Sequence, residues 1–171
     1  MTNFPPEDIC SFLQLNAGDW LGLRSLLEAE GEASSIGELP LGEEESEPSQ
    51  PWHASERAEV RMALLQPTSE MDWGGLEIFP TNHPNVTLIF HKTGTVAINA
   101  VLGNWHLGED GSLVLTVEEQ NRCLKEQIWF RKPNLRLRST LEQFADGRPG
   151  RASFSSEIRR VRKPEENPHA H

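Results

Sequence analysis

The residues best suited to chemistry lie in one short run near the C-terminal end, Pro133-Asn134-Leu135-Arg136-Leu137-Arg138. Because side chains alternate across a β-strand, Arg136 and Arg138 share one face and the two leucines share the other. A guanidinium group can hold a carboxylate through two parallel hydrogen bonds, so a pair facing a cavity would suit a ligand with two acids. A pair facing outward would simply be solvated, and the pattern alone favours this second interpretation.

The segments around this run indicate a meander of short β-strands. Short apolar segments alternate with turn compositions such as Gly74-Gly75, Lys92-Thr93-Gly94 and Asp146-Gly147. Closing such a meander into a barrel removes two exposed sheet edges, and small up-and-down barrels can enclose one ligand. The predicted strands span residues 59–65, 76–79, 86–91, 95–102, 112–117, 125–130, 135–141 and 152–159, with a further candidate over 20–27.

One N-terminal helix is predicted ahead of the strands. Pro5-Pro6-Glu7-Asp8 is typical of a helix start, since proline is tolerated in the first turn and acids are favoured there by the helix dipole. The apolar residues Ile9, Phe12 and Leu13 then follow helical spacing. We therefore predict a helix over residues 5–16, which makes the fold mainly β with a single α-helix.

Length and composition indicate one domain. A chain of 171 residues with 36% hydrophobic residues can bury one core, and we predict a single barrel domain over residues 1–163. The chain from Glu28 to Glu47 has eight Glu and no Lys or Arg, and we predict a mobile acidic excursion over residues 29–55. Residues 164–171 form a polar tail.

The charge distribution and the apolar stretches exclude several classes of protein. The net charge of −10 argues against a nucleic-acid partner, although twelve of the sixteen Lys and Arg lie between Arg122 and Lys163. The apolar stretches are too short for membrane insertion, and the N-terminus does not have the pattern of a signal peptide. We therefore expect a cytoplasmic protein.

The cysteines and histidines do not suggest a metal site. Cys10 and Cys123 are far apart and lack CxxC spacing, so we expect neither a disulfide framework nor zinc, and both thiols are interpreted as structural. His83, His91 and His106 lack the spacing of metal ligands. No sequence motif of a nucleotide site or of a common hydrolase is present.

Longer motifs resemble one known family. Trp129-Phe130 with the arginine run extended to Ser139-Thr140, followed by Ala152-Ser153-Phe154 and Ser156-Glu157-Ile158-Arg159, resembles the C-terminal signature of the S-type phycobiliprotein lyases, the CpcS/CpeS family. The opening Phe12 to Trp20 and the hairpin Gly108 to Leu113 are similar to the same family. The matches follow the family order over nearly the whole chain, except for residues 28–60.

The resemblance implies a barrel like those of lipocalins and fatty-acid-binding proteins, with a phycobilin as its bound substrate. A bilin is a linear tetrapyrrole with two propionates, so the resemblance assigns Arg136 and Arg138 to propionate binding and Thr140 to a hydroxyl contact. Glu126 matches the family's acidic position, where it would pair with a pyrrole nitrogen or move a proton as the catalytic group. Trp129 is assigned to the bilin site, with a core position as the alternative.

The reaction implied is chromophore attachment, in which a cysteine of a phycobiliprotein subunit forms a thioether with the bilin, phycocyanobilin or phycoerythrobilin. The lyase would orient and protect the bilin. No metal or prosthetic group is expected. The partners implied are the subunits that build the phycobilisome, and a related lyase subunit or a second copy of this chain. The location implied is the cyanobacterial cytoplasm or the plastid stroma of an alga.

Several positions depart from the family pattern and keep an alternative open. Lys125-Glu126 keeps only one carboxylate of the acidic pair that precedes Trp-Phe in the family. Leu26 and Leu27 stand where family members often have histidine, and the strand around Leu64 lacks the Trp that is common there. These losses favour a non-catalytic bilin carrier or chaperone, or an accessory subunit of a heterodimeric lyase. From composition alone, a carrier of fatty acids or other carboxylates also explains the arginines, but it does not explain the longer motifs.

Overall fold

The computed structural model describes residues 3–28 and 53–161, and in this part of the chain one helix precedes ten strands. Helix α1 spans Ile9–Asn16. The strands are β1 (Gly18–Leu27), β2 (His53–Leu65), β3 (Asp72–Pro80), β4 (Val86–His91), β5 (Thr95–Ile98), β6 (Val101–Leu107), β7 (Leu113–Glu119), β8 (Arg122–Lys132), β9 (Leu135–Phe144) and β10 (Pro149–Arg159).

The strands close into an antiparallel barrel in which each strand pairs with its neighbours in sequence and β1 pairs with β10. This confirms the predicted mainly β, up-and-down barrel with a single helix. Closure pairs Trp20 with Arg159 and Leu27 with Ala152, so the barrel has no free edge among the described strands. The interior is wider than that of the smallest barrels, because barrel diameter grows with strand number.

Helix α1 closes one end of the barrel. Ile9, Phe12 and Leu13 are almost fully buried, at 4%, 1% and 1% exposure, and they pack against the apolar residues of the strands. This burial follows from the helical spacing of the three residues. The strand residues of the core are Trp20, Met62, Leu76, Leu88, Phe90, Val96, Leu113, Leu115 and Ile128.

The helix is shorter than predicted because Asp8, not proline, sets its start. Asp8 is extended (φ −139°, ψ 165°), and its carboxylate accepts a hydrogen bond of 2.7 Å from the backbone N–H of Ser11. This is the geometry of an N-cap, a position that aspartate favours strongly. Pro5 and Pro6 therefore precede the helix, and the predicted bounds of 5–16 are wrong at the N-terminal end.

The double glycine Gly74-Gly75 lies inside β3, so the prediction of a turn there is wrong. A Cβ atom at Gly75 would lie 1.7 Å from the carbonyl oxygen of Leu88, so glycine is needed for the close approach of β4. The actual turn precedes Asp72, whose carboxylate accepts hydrogen bonds from the backbone N–H groups of Thr68 and Ser69. These bonds satisfy the backbone of the turn.

The predicted strand over residues 95–102 is two strands, β5 and β6. Asn99 has a positive φ of 51°, a conformation that asparagine tolerates better than most residues, and it turns the chain between the two strands. The C-terminal end of the predicted acidic excursion is wrong. Residues 53–55 belong to β2, where they pair with the end of β1.

Two other predictions fall outside the part of the chain that the structure describes. The remainder of the acidic excursion, residues 29–52, and the polar tail over 164–171 lie outside the described residues. The extent of the single barrel domain, residues 1–163, stays a prediction. Within residues 3–28 and 53–161, no helix is both long and apolar enough to cross a membrane.

Candidate functional site: a polar strip in the barrel cavity

The barrel encloses a cavity of about 870 Å³. This volume is within the range of roughly 300–1,000 Å³ of small-molecule sites. Most of the deep wall is apolar, as expected where strands present alternate residues to the interior. The apolar lining includes Leu76, Ile78, Leu88, Leu113, Leu115 and Ile128.

A polar strip crosses this apolar wall where β9 pairs with β10. The inward residues of β10 oppose the inward residues of β9, so the alternation predicted for the arginine run places both arginines on the inner face. The interior therefore combines apolar walls with one concentrated group of charges and hydroxyls. The opposed pairs are Arg136 with Glu157, Arg138 with Ser155, and Thr140 with Ser153.

Arg136 is the buried anchor of the strip. It has no exposed surface and does not line the cavity. Its Nε donates a hydrogen bond to Glu157, and its Nη1 donates to the side-chain oxygen of Asn16 and lies 3.2 Å from the sulfur of Met62. Arg136 therefore ties β9 to β10, to the helix and to β2.

Trp20 lies between two guanidinium groups at the closed end of the barrel. The Cζ atom of Arg136 lies 4.3 Å from the centroid of the Trp20 ring, and that of Arg159 lies 4.4 Å from it. Arg159 also donates hydrogen bonds to the carbonyl oxygens of Leu15 and Ala17 at the end of α1. These cation–π contacts and C-terminal hydrogen bonds hold the helix against the barrel.

Of the two arginines in the polar strip, Arg138 is the one that lines the cavity. Its Nε lies 3.2 Å from a carboxylate oxygen of Glu126, as an ion pair without hydrogen-bond geometry, and its Nη2 lies 3.8 Å from Glu157. Its side chain keeps 23% of its surface exposed, against 0% for Arg136. Arg136, Arg138, Glu126 and Glu157 form a quartet of two positive and two negative charges, so its net charge is zero.

Burial and pairing shift the pKa values within the quartet in different directions. Burial, together with the nearby charge of Arg138, lowers the pKa of Arg136 to about 10, so Arg136 is still a cation at neutral pH. Burial alone would raise the pKa of Glu157, but Arg138 and Arg136 outweigh it and lower that pKa. Glu126 and Glu157 similarly outweigh burial at Arg138 and raise its pKa.

More exposed residues line the cavity at the end opposite α1. Arg24 lies on the inner face of β1 and forms an ion pair with Glu56, with 3.6 Å between Nη1 and the carboxylate oxygen. Asn82 and His83, in the turn between β3 and β4, line the cavity at the same end. We refer to this end as the open end.

The structure brings four of the five predicted site residues into the same region. Arg138, Thr140 and Glu126 line the cavity, and Arg136 lies next to them without lining it. Trp129 lies apart from them on the outer face of β8, half-buried, with its ring centroid 6.2 Å from that of Phe154. Neither a cavity position nor a core position describes Trp129.

Sequence reasoning missed several residues of the site. Ser153 and Glu157 were part of the family motif without an assigned role, and Ser155 was not singled out, yet all three line the cavity. Their spacing of two, which places polar residues on one strand face, was the available signal. Asn16, which accepts a hydrogen bond from Arg136, gave no such signal.

The three leucines that depart from the family pattern lie outside the cavity wall. Leu26, Leu27 and Leu64 are not among the residues that line the cavity, and Leu27 and Leu64 are 41% and 36% exposed. Among the described residues, no group of three or more His, Cys, Asp or Glu is arranged to hold a metal ion.

Comparison with known proteins identifies relatives over nearly the whole chain. The family model described as CpeS-like protein matches residues 8–160. The chain is 38% identical over 166 residues to Chromophore lyase CpcS/CpeS 1 of Paulinella chromatophora, covering 95% of this chain and 94% of that protein. It is 36% identical over 64 residues to the phycocyanobilin lyase subunit CpcS of Picosynechococcus sp., covering 37% and 32% of the two chains.

A solved structure has the same fold. The S-type phycobiliprotein lyase CPES from Guillardia theta superposes with a TM-score of 0.54 at 20% sequence identity, covering 89% of this chain and 92% of that one. At this identity the match shows the fold alone. The family model and the long match to the Paulinella protein show more: the chain belongs to the CpeS-like family of chromophore lyases.

Proposed function

We propose that this protein is a phycobiliprotein lyase, which binds a phycobilin in the barrel and promotes its thioether attachment to a cysteine of a phycobiliprotein subunit. The observation that carries the proposal is the polar strip: Arg138 lines the cavity of about 870 Å³ with hydroxyl groups beside it, next to a deep wall that is mostly apolar. A bilin needs the same combination, because its conjugated body is apolar and its two propionates are anionic.

In this proposal Arg138 binds a propionate inside the cavity. Its side chain is 23% exposed, and neither the 3.2 Å contact with Glu126 nor the 3.8 Å contact with Glu157 is a hydrogen bond, so a propionate can compete with these carboxylates for its donors. Thr140, Ser153 and Ser155 supply hydroxyls next to it. Arg24, at the open end, offers a second cation for the other propionate.

Arg136 acts as a positioning residue in this proposal. It is fully buried and donates to Glu157, which lines the cavity, so it fixes the carboxylate that the ligand meets. Trp129 lies on the outer face, and we propose no bilin contact for it.

Glu126 is the proposed catalytic acid–base group. Its carboxylate lines the cavity next to Arg138, within reach of a ligand held by that arginine. It would pair with a protonated pyrrole nitrogen and favour the cationic, more electrophilic bilin. The sulfur of the client cysteine then bonds to the ethylidene carbon, and the thiol proton ends on the bilin, so no electrons are gained or lost. The barrel orients the bilin and excludes water.

The nucleophile comes from the client in this proposal. Burial, together with the charge of Asp8, raises the pKa of the Cys10 thiol, which makes its reactive thiolate scarce. Cys123 lies on β8 and is also not among the cavity-lining residues. Neither thiol is placed to attack a ligand in the cavity.

The bilin proposed is phycocyanobilin or phycoerythrobilin, and the proposed location is a cyanobacterial cytoplasm or a plastid stroma. The alternative function is a bilin carrier, or an accessory subunit that works with a related lyase. The observation in its favour is the balanced charge of the quartet, since Arg136 and Arg138 already have carboxylate partners before any ligand binds. The name of the Picosynechococcus relative, a lyase subunit, points in the same direction.

Co-expression with a bilin-producing system and single phycobiliprotein subunits tests the proposal. Bilin fluorescence of the subunit on a denaturing gel, with this chain as the sole lyase, is the expected result. Fluorescence that needs a related lyase, and exceeds that lyase's own level, would make the chain an accessory subunit. Bilin binding without transfer under either condition would leave the carrier function.

A further inference from the structure

The outer face of four neighbouring strands, β8, β9, β10 and β1, carries an unusual number of apolar side chains. Leu23, Leu141, Phe154 and Ile158 are exposed by 52%, 56%, 46% and 53%. The pairing register brings them together across the strands, and the half-buried ring of Trp129 packs against Phe154. We call the residues Leu23, Trp129, Leu137, Leu141, Phe154 and Ile158 the outer apolar face.

Single exposed apolar residues are ordinary, but a continuous group is not. Leu137 pairs with Trp129 on one side and with Ser156 on the other, so apolar and small side chains alternate across the sheet without a charge between them. Contiguous apolar patches of this kind mark interaction sites on soluble proteins. Their cores are depleted of charge, as in other protein interfaces.

The rim of this face is basic. Lys125 pairs in register with Leu141 on one side, and Arg131 and Lys132 follow at the end of β8. On the other side Arg57 pairs with Leu23, at a position that also borders the cavity. All four side chains are exposed, and none takes part in the ion pairs found among residues 3–28 and 53–161. Acidic side chains near the same rim have basic partners: Glu59 is 3.3 Å from Arg160, and Glu28 is 3.3 Å from Arg151.

We propose that the outer apolar face is the docking surface for an acidic protein partner. This inference rests on the proposed function, in which that partner is the phycobiliprotein subunit that receives the bilin. A basic rim around an apolar centre favours a partner with an apolar patch bordered by carboxylates. A second copy of this chain fits less well, because a symmetric contact through the same face would bring the two basic rims together.

The position of the face suits transfer. The inner sides of β9 and β10 carry Arg138 and Ser155, so the partner would dock on the outside of the wall that holds the ligand. Leu141, at the other end of the face from α1, lies toward the open end of the cavity, as does Leu27 next to the face. A partner on this face can therefore place a cysteine near the opening.

The test uses the full chain and an apo phycobiliprotein subunit. The double variant Phe154→Thr/Ile158→Thr keeps strand-compatible residues and removes two exposed apolar groups. We expect the Kd for the apo subunit, measured by titration without bilin, to rise about tenfold. The KM for the subunit in the transfer assay should rise similarly, with kcat and bilin affinity unchanged. Leu102→Thr, at a position 68% exposed on β6, is the matched control and should change neither value.

A second variant tests the basic rim. Lys125→Glu/Arg131→Glu, at two exposed positions outside the cavity lining, should slow association with the apo subunit and weaken its dependence on salt concentration. Unchanged Kd and KM in both double variants would overturn the docking proposal. So would light scattering that shows a dimer broken by Phe154→Thr/Ile158→Thr, or binding to anionic vesicles that is lost in the variants. Failure of the wild-type chain to bind bilin or to transfer it would instead contradict the proposed function.

Discussion

A Cβ atom at Gly22 would lie 3.1 Å from Cγ of Glu157. The two residues are paired between β1 and β10, and both face the cavity. The missing side chain at Gly22 therefore leaves the space in which Glu157 extends toward Arg136. A glycine on one strand thus sets the position of a carboxylate on the next.

Gly22→Ala tests this relationship. The added methyl group is tighter than ordinary contacts and should displace Glu157, weakening bilin binding and lowering the free energy of unfolding by about 1–3 kcal/mol, as overpacking does. Bilin titration followed by visible absorption and urea denaturation measure the two effects. Ser25→Ala, at an outward position of the same strand, should leave both unchanged. Wild-type bilin affinity in Gly22→Ala would show that Glu157 does not shape the site.

Arg138→Gln should weaken bilin binding with the barrel intact. The variant loses a charge-assisted contact worth about 1.5–3 kcal/mol, which corresponds to roughly 10- to 150-fold in Kd. Circular dichroism checks the fold. Arg24→Gln, which alters a more exposed cation, should have a smaller effect. An unchanged Kd in Arg138→Gln would remove this arginine from the proposed ligand contacts.

Arg136→Met should act on stability first. Removing one partner of a buried ion pair costs about 3–5 kcal/mol, because the other charge is left without compensation. Arg136→Met/Glu157→Leu replaces both charges and should be more stable than the single variant, although its bilin binding is lost. Denaturation curves of the two variants decide the point, and a double variant less stable than the single one would contradict it.

Acid should destabilise the protein partly through Glu157. Because the folded pKa of Glu157 is lowered from its ordinary value of 4.5, its contribution to stability is present above pH 4.5 and is lost as pH falls through the folded value. Glu157→Gln should therefore show a smaller drop in Tm between neutral pH and pH 3. Asp110→Asn is a useful comparison. The side chain and backbone of Ser112 lower the pKa of Asp110, so this variant should also reduce the drop while leaving bilin affinity intact.

Cys10→Ser/Cys123→Ser should transfer bilin at the wild-type rate, since the client supplies the thiol. Bilin fluorescence of the subunit on a denaturing gel measures transfer. Loss of transfer by a variant that still folds and binds bilin would require a covalent intermediate on the lyase.

The alternation of side chains along the arginine run was predictable from the sequence, but the side of the barrel that the arginines face was not. Spacing alone placed Arg136 and Arg138 on one face, and only the closure of β1 on β10 decides that this face is the interior. Glu157 and Asn16 are 21 and 120 residues from Arg136 in sequence, so local pattern could not connect them. The resemblance to known lyases found the region of the site, and it did not separate the buried arginine from the cavity-facing one.

The predicted strand boundaries were wrong where the local composition indicates one structure and the tertiary contacts require another. Gly74-Gly75 has the composition of a turn, yet the close approach of Leu88 needs a glycine inside the strand. The start of β2 has few apolar residues and is a strand because β1 pairs with it as far as Leu27. In both cases a neighbouring strand decides the structure.

Because helix α1 fills one end of the barrel with Ile9, Phe12 and Leu13, a ligand must enter and leave by the opposite end. The bilin is then loaded and delivered through the same opening of the barrel. A protein that supplies the bilin and the subunit that accepts it would compete for this opening. The lyase would therefore bind them in turn, and an excess of either would slow the binding of the other.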